Sequence, residues 1–294
     1  MSFLDALILG VVQGLTEFLP ISSSGHIMLG EHFLGYTGEP NLLLNVILHL
    51  GTLIAVILFY RKDVFGSVAD VWRATQVGLR ERSLVAFRER EGARLAVLIV
   101  LAMVPTAVLG LSLRPFVSAS IFEDPALFPA VICGTLVLNG FILFSARFFS
   151  DEKAKTRQGS WTLWNITPAV ALLIGVSQGL AVLPGFSRSG LTIIAALWLA
   201  VHRVEAARFS FLLSIPAVAA ALVVETALNF DPAAIAGAGL EGFGLYVGAA
   251  AIAGVLGYVS ILVLVNMLKK AHFWHFSWYC WAVGLGGLAV IFLL

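Results

Sequence analysis

Six stretches of this chain run for about 20 mostly apolar residues, the length an α-helix needs to cross the hydrocarbon core of a bilayer. They cover roughly 42–60, 94–113, 127–147, 205–228, 243–268 and 274–294. A chain built this way folds as a polytopic helical membrane protein, because lipid leaves no other partner for the backbone polar groups. Composition agrees: of 294 residues, 60% are hydrophobic and 12% charged, against about 25% charged in a soluble domain. A soluble enzyme, a disordered tail and a nucleic-acid binder are thereby excluded. The net charge of +1 gives no reason to expect a polyanion partner. Cys133 and Cys280 are the two cysteines, too few for a disulfide framework or a thiolate metal site. The N-terminus carries Asp5 and no basic residue ahead of its apolar run, so a cleaved signal peptide is not expected. Trp274, Trp278 and Tyr279 suit an interfacial anchor at the start of the last span.

Two further hydrophobic stretches do not read as spans. Residues 3–34 are cut by Leu19-Pro20-Ile21-Ser22-Ser23-Ser24-Gly25-His26, and residues 166–200 by Leu183-Pro184-Gly185-Phe186-Ser187-Arg188-Ser189-Gly190. Pro and Gly end helices and Ser prefers caps. The natural reading is two helix hairpins, over 1–40 and 162–200, that enter the membrane and return. The alternative is a pair of Pro-kinked full spans. Irregular backbone at that depth must line a polar cavity or be buried in protein, so both breaks are expected to face a polar site.

Sixteen of the 18 Lys and Arg residues fall in four places. The stretch 61–94 holds Arg61, Lys62, Arg73, Arg80, Arg82, Arg88, Arg90 and Arg94, and 147–157 holds Arg147, Lys153, Lys155 and Arg157. Arg203 and Arg208 precede the fourth span, and Lys269 and Lys270 follow the fifth. The remaining connections carry Glu123, Asp124, Asp231 and Glu241 against Arg114. Six spans put all four basic places on one side, the cytoplasmic side by the positive-inside rule. The N-terminus is then periplasmic, and 61–93 is a solvated cytoplasmic loop or helix. The first hairpin enters from outside and the second from inside.

The two hairpins are similar in sequence. Gly10-Val-Val-Gln13-Gly14-Leu15 matches Gly175-Val-Ser-Gln178-Gly179-Leu180, and Ser24-Gly25 matches Ser189-Gly190, both at an offset of 165. Each is followed by three spans, an odd number, so the copies lie in the membrane with opposite orientation. The expected architecture is a single all-α membrane domain over 1–294. It has six transmembrane helices and two re-entrant hairpins in an inverted-topology repeat, 1–150 and 160–294.

Glu17 and Arg188 are the ionised residues in the central parts of the two hairpins. A charge at a helix centre costs about 2.5–3.5 kcal/mol on insertion scales and marks a functional site by default. Around them lie Ser22, Ser23, Ser24, His26, Ser187, Ser189 and Thr192. A Glu–Arg bridge tying hairpin to hairpin would explain the charges but not the hydroxyls. An anion site explains both. Helix starts point free N–H groups at their loops, the guanidinium is a planar fork for two phosphate oxygens, and Glu17 and His26 can move protons. Together these groups point to phosphoryl transfer.

These residues also carry a family resemblance. Gln13-Gly-Leu-Thr-Glu17, continued by Phe18 to His26, fits the pattern [E/Q]-x-x-x-E-F-L-P-[IV]-S-S-[ST]-G-H, and Pro184 to Thr192 fits P-G-x-S-R-S-x-x-T at every fixed position. The chain resembles the undecaprenyl-diphosphate phosphatase family, also called bacitracin-resistance proteins. The resemblance implies a multi-pass enzyme of the bacterial inner membrane that hydrolyses undecaprenyl diphosphate to undecaprenyl phosphate and phosphate. That reaction recycles the lipid carrier of cell-wall synthesis. It also implies a divalent metal, Mg or Ca, with Glu17 and Gln13 the candidate ligands. Gln13 is the less acidic of the family's two options there. A second membrane-phosphatase pattern, K-x6-R-P with S-G-H and S-R-x5-H, is echoed by Ser24-Gly25-His26 and Ser187-Arg188. It fails at Ile194 and lacks its first element.

The site expected from the sequence therefore has Glu17, Ser23, His26 and Arg188 as catalytic groups. Gln13, Ser22, Ser24, Gly185, Ser187, Ser189 and Thr192 contact the diphosphate. Ser23 is the candidate nucleophile, with its proton taken by His26 or Glu17, and a directly activated water is the competing version. The expected partners are a polyprenyl diphosphate and membrane lipid. A homo-oligomer is allowed and nucleic acid is not expected. A flippase or anion carrier on the same repeat is the alternative function.

Overall fold

A computed structural model describes residues 3–33, 42–121, 127–149, 166–229 and 232–293. The described regular structure is helical, apart from an isolated bridge residue at Val201. Lys153, Lys155, Arg157, Glu123, Asp124 and Asp231, used above to orient the spans, lie outside those residues. The helices are α1 (Phe3–Thr16), α2 (Ser23–Phe33), α3 (Leu42–Phe59), α4 (Arg61–Glu81), α5 (Val85–Glu89), α6 (Glu91–Ile121) and α7 (Leu127–Phe144). They continue as α8 (Pro168–Leu180), α9 (Arg188–Trp198), α10 (Arg203–Asn229), α11 (Pro232–Lys269) and α12 (Phe276–Leu293).

Five helices among the described residues are long and apolar enough to cross a membrane, and a sixth span is reached when the bent pair α3–α4 counts as one. That pair turns by 77° at Tyr60, where φ is −98° and ψ 26°. No Pro or Gly marks the turn. The stretch 61–93 thus carries a 21-residue helix rather than a loop. Asp63, in its first turn, pairs with Arg208 of α10, and Arg208 Nη1 also lies 3.4 Å from Glu205 and 3.7 Å from Glu91. Arg203 donates to Phe149 O, and Arg147 sits over the Trp274 ring at 5.4 Å. These contacts gather the starts of α4, α6 and α10, the end of α7 and the approach to α12 at one end of the bundle.

The two broken stretches fold as hairpins. α1 packs on α2 and α8 on α9, which collinear halves of a kinked span would not do. The breaks lie at 17–22 and 181–187, so Ser24, Gly25 and His26 belong to the first turn of α2 rather than to the loop. The repeated glycines explain how the short helices dock. A Cβ on Gly10 would stand 2.7 Å from Ala249 O, and one on Gly14 would stand 2.7 Å from Ala253 O, both on α11. A Cβ on Gly175 would overlap Ala102 O, and one on Gly179 would lie 2.7 Å from Leu109 Cβ, both on α6. Close backbone approach at small residues is how helices associate where the surroundings are as apolar as the side chains. α1 runs parallel to α11 and α8 parallel to α6.

Candidate active site

The tips of the two hairpins meet inside the bundle. Gln13 and Glu17 stand one helical turn apart at the end of α1, and Gln13 Nε2 donates to Glu17 Oε2 at 3.1 Å. Ser22 then takes a left-handed conformation, φ 71°, that turns the chain back. Its Oγ accepts from Gly25 N at 3.2 Å, capping α2 and making Ser23 the first residue of that helix. Ser187 caps α9 in the same way, accepting from Gly190 N at 3.1 Å, and Arg188 is the first residue of α9.

One buried amide couples the two loops. Asn139 of α7 donates to Pro20 O at 2.9 Å and accepts from Ser187 N at 3.2 Å. Thr135, one turn earlier, donates to Pro184 O at 2.6 Å. Gly185 beside it has φ +92°, and any Cβ there would overlap the Thr135 hydroxyl. Glycine is required by both space and conformation.

Glu17 sits at the centre. Its Oε1 accepts from Arg188 Nη2 at 2.6 Å, and its Oε2 accepts from Ser23 Oγ, also at 2.6 Å. The side chains of Glu17 and Arg188 are 6% and 18% exposed, so a single buried carboxylate holds a half-buried cation and a half-buried hydroxyl in charge-assisted hydrogen bonds. Two buried atoms at this junction lack a hydrogen-bond partner: Arg188 Nη1, a donor, and Gln13 Oε1, an acceptor. Buried polar groups in folded proteins are almost always satisfied. An unused donor and an unused acceptor beside one carboxylate fit a ligand carrying both anionic oxygens and a cation.

The remaining predicted residues are placed as follows. His26 Nδ1 lies 2.7 Å from Ser22 O. A carbonyl only accepts, so Nδ1 carries a proton, and Nε2 meets the Tyr279 hydroxyl at 2.9 Å. Both ring nitrogens are engaged away from Ser23. Ser24 Oγ is 3.4 Å from Ser22 Oγ, and Ser189 Oγ is 3.1 Å from Ser187 Oγ. Thr192 turns from the junction to bond Ser210 of α10 at 2.5 Å.

Three groups at the site stayed unassigned on sequence. By sequence His49 of α3 can line a cavity or bond a neighbouring helix. Its Nδ1 is 2.8 Å from Asn45 O, and its Nε2 faces Glu17 Oε2 at 3.9 Å. Asn139 and Tyr279 were not singled out for the site. A lone Asn inside an apolar span is the signal that could have found Asn139, since an amide in hydrocarbon needs a partner.

A family model for the bacitracin resistance protein BacA matches residues 6–286. The chain belongs to this family. BacA-family relatives of similar length include an undecaprenyl-diphosphatase of Desulforapulum autotrophicum, 40% identical over 97% of both chains. Another, from Desulfatibacillum aliphaticivorans, is 35% identical over 100% of both. Undecaprenyl-diphosphatase 4 of Bacillus thuringiensis is 34% identical over 97% of this chain and 96% of its own.

Proposed function

We propose that this BacA-family protein hydrolyses undecaprenyl diphosphate to undecaprenyl phosphate and inorganic phosphate at the junction of Glu17, Ser23 and Arg188. The observation that carries the reading is the pair of 2.6 Å contacts on one carboxylate. A carboxylate at that distance from a seryl hydroxyl can take its proton as the oxygen attacks. The diphosphate lies against Arg188 Nη1 with its isoprenoid chain in lipid. Ser23 Oγ attacks the terminal phosphorus, the bond from phosphorus to the bridging oxygen breaks, and undecaprenyl phosphate leaves. Glu17 holds the Ser23 proton. That proton passes to the departing undecaprenyl phosphate, leaving Glu17 ionised. Water then attacks the phosphoserine with Glu17 as acceptor, the bond from phosphorus to Ser23 Oγ breaks, and the proton on Glu17 returns to Ser23 Oγ as phosphate is released. Glu17 rather than His26 is the acceptor because His26 is bound to Ser22 and Tyr279. A water activated by Glu17, attacking directly, is the competing route. The residues named for substrate contact act at two levels. Arg188 meets the phosphates through its unpaired Nη1, while Ser22, Ser187 and Gly185 shape the loops and Ser24 and Ser189 sit against the two capping serines.

A divalent cation fits this junction in a limited way. Among the described residues no cluster of three His, Cys, Asp or Glu side chains could hold one. The unpaired Gln13 Oε1 beside Glu17 offers two oxygens, which suits a Mg-like ion that draws its other ligands from substrate phosphate and water. Bound there, it would offset charge on the phosphoryl oxygens.

The inverted repeat supports the placement of the site. α1 runs with α11 and α8 with α6, so the hairpins enter from opposite ends and their tips converge between the leaflets. The first hairpin opens to the periplasm with the N-terminus, in the bacterial inner membrane. The offset of 165 makes Ser23 the counterpart of Arg188: nucleophile and clamp occupy equivalent first-turn positions of α2 and α9. A flippase or anion carrier would need the clamp alone, and the Ser23–Glu17 contact favours hydrolysis.

Purified protein in detergent should release phosphate from undecaprenyl diphosphate. Arg188→Ala should release almost none, and a chelator should slow the wild type. Absence of release by the wild type would leave the carrier reading in its place. Release unaffected by chelator would remove the cation from the scheme. Ser23→Ala should lose at least about 10³-fold in turnover, and quenched wild-type reactions with terminally labelled substrate should yield phosphoserine. Substantial turnover in Ser23→Ala, with no phosphoserine, would assign the attack to water.

A further inference from the structure

The helix α4 has no part in the chemistry above, yet its surface is sharply divided. Phe65, Val68, Trp72 and Leu79 are 67%, 64%, 66% and 79% exposed. Their spacing of three, four and seven residues puts them in one stripe along the helix. The opposite face is bound to protein. Ala74 is buried, Asp63 pairs with Arg208, and Asp70 accepts from Gly92 N at 3.1 Å and faces Arg90 at 3.9 Å. The basic residues Lys62, Arg73 and Arg80 are exposed. By helical geometry they share one edge, about 100° round from the stripe. Arg73 has a loose 4.0 Å contact with Asp70.

We propose that α4 lies in the membrane surface at the Arg61 end of the bundle, its stripe among the acyl chains and its basic edge on anionic lipid headgroups. The 77° turn supplies the geometry: with α3 along the bilayer normal, α4 lies close to the membrane plane. The stripe begins a few residues beyond the end of α3, so it starts at headgroup level. Charge complementarity selects the occupant. Asp63 and Asp70 are turned inward, and Glu81 in the last turn is on their side of the helix. The outward edge is therefore basic, as expected of an interfacial helix on anionic lipid. A second copy packing stripe to stripe about a two-fold axis would bring that basic edge close to its own copy, without these acids to answer it.

The test uses single-cysteine variants of the full chain in nanodiscs of phosphatidylglycerol and phosphatidylethanolamine, one protein per disc. A charged maleimide reacts with thiolate in water, and the native Cys133 and Cys280 are buried. Val68→Cys and Trp72→Cys should label at least about tenfold more slowly than Gly66→Cys, whose position is open. The difference should shrink in phosphatidylcholine discs, and when Lys62, Arg73 and Arg80 are all replaced by Gln. Equal labelling in the anionic discs would overturn the proposal. So would protection that appears only in discs holding two copies, which would assign the stripe to a second copy.

Discussion

Replacing Glu17 with Gln is expected to leave a folded protein that no longer releases phosphate. The side chain keeps its shape and one oxygen, which still accepts from Arg188 Nη2, now 2.6 Å from Oε1. The amide nitrogen that replaces Oε2 is met by Ser23 Oγ, which can rotate its proton and accept. It is also met by Gln13, whose unused Oε1 can turn in to accept. The hydrogen bonds of the junction can thus be rebuilt, and Arg188 retains 18% exposure for its charge. What cannot be rebuilt is a group able to take the Ser23 proton. Losing a general base costs about 10²- to 10⁴-fold, and turnover should fall by that factor at an unchanged elution volume in detergent. A variant that unfolds would make Glu17 a structural bridge. Glu17→Asp separates the cases: it keeps the charge for Arg188 but is one methylene too short to reach Ser23 as well. It should be folded and slow. A fast Glu17→Asp would sink the proton-acceptor role.

The charges at Glu17 and Arg188 were legible in the sequence because a lone charge in an apolar hairpin is expensive and has to be answered. Both halves of the answer had the same cost, so pairing them required no geometry. The spans were legible for a similar reason, since nothing but a crossing uses 20 apolar residues at a time. The turn at Tyr60 was not legible. It is made by long-range contacts of α4, chiefly Asp63 with Arg208 across 145 positions, and no local residue type encodes it. His49 was hidden by ordinary behaviour. A histidine bonded to the carbonyl four residues back, as His49 is to Asn45, looks self-sufficient in a helix. The serines were separable only by coordinates: Ser22 and Ser187 spend their oxygens on caps, whereas Ser23, one residue further, is aimed at Glu17. A run of three serines carries no mark of which one is the cap. His26 illustrates the same limit, because its proximity in sequence to Ser23 says nothing of its ring being held by Tyr279, 253 positions away.

Arg188→Lys is expected to keep the fold and lose most of the activity. Arginine does two things here with one planar group: Nη2 binds Glu17, and Nη1, buried and unpaired, is left for a phosphoryl oxygen. The spacing between those nitrogens is fixed by the guanidinium, so the carboxylate and the phosphate are held in a set relation, and Ser23, on the same carboxylate, is aligned with both. A lysine ammonium is a point charge on a flexible stem. It can neutralise Glu17 or approach the phosphate, but it cannot fix one against the other. The buried charge pair survives the substitution, so stability should hold. Arg188→Ala strands Glu17 without its cation and should be the less stable of the two. Removing one preorganised donor to a developing charge costs about 10²- to 10³-fold in turnover. That loss should appear in kcat more than in KM if the fork acts on the transition state. A loss confined to KM would reduce Arg188 to a docking charge, and turnover near the wild-type value would refute the clamp altogether.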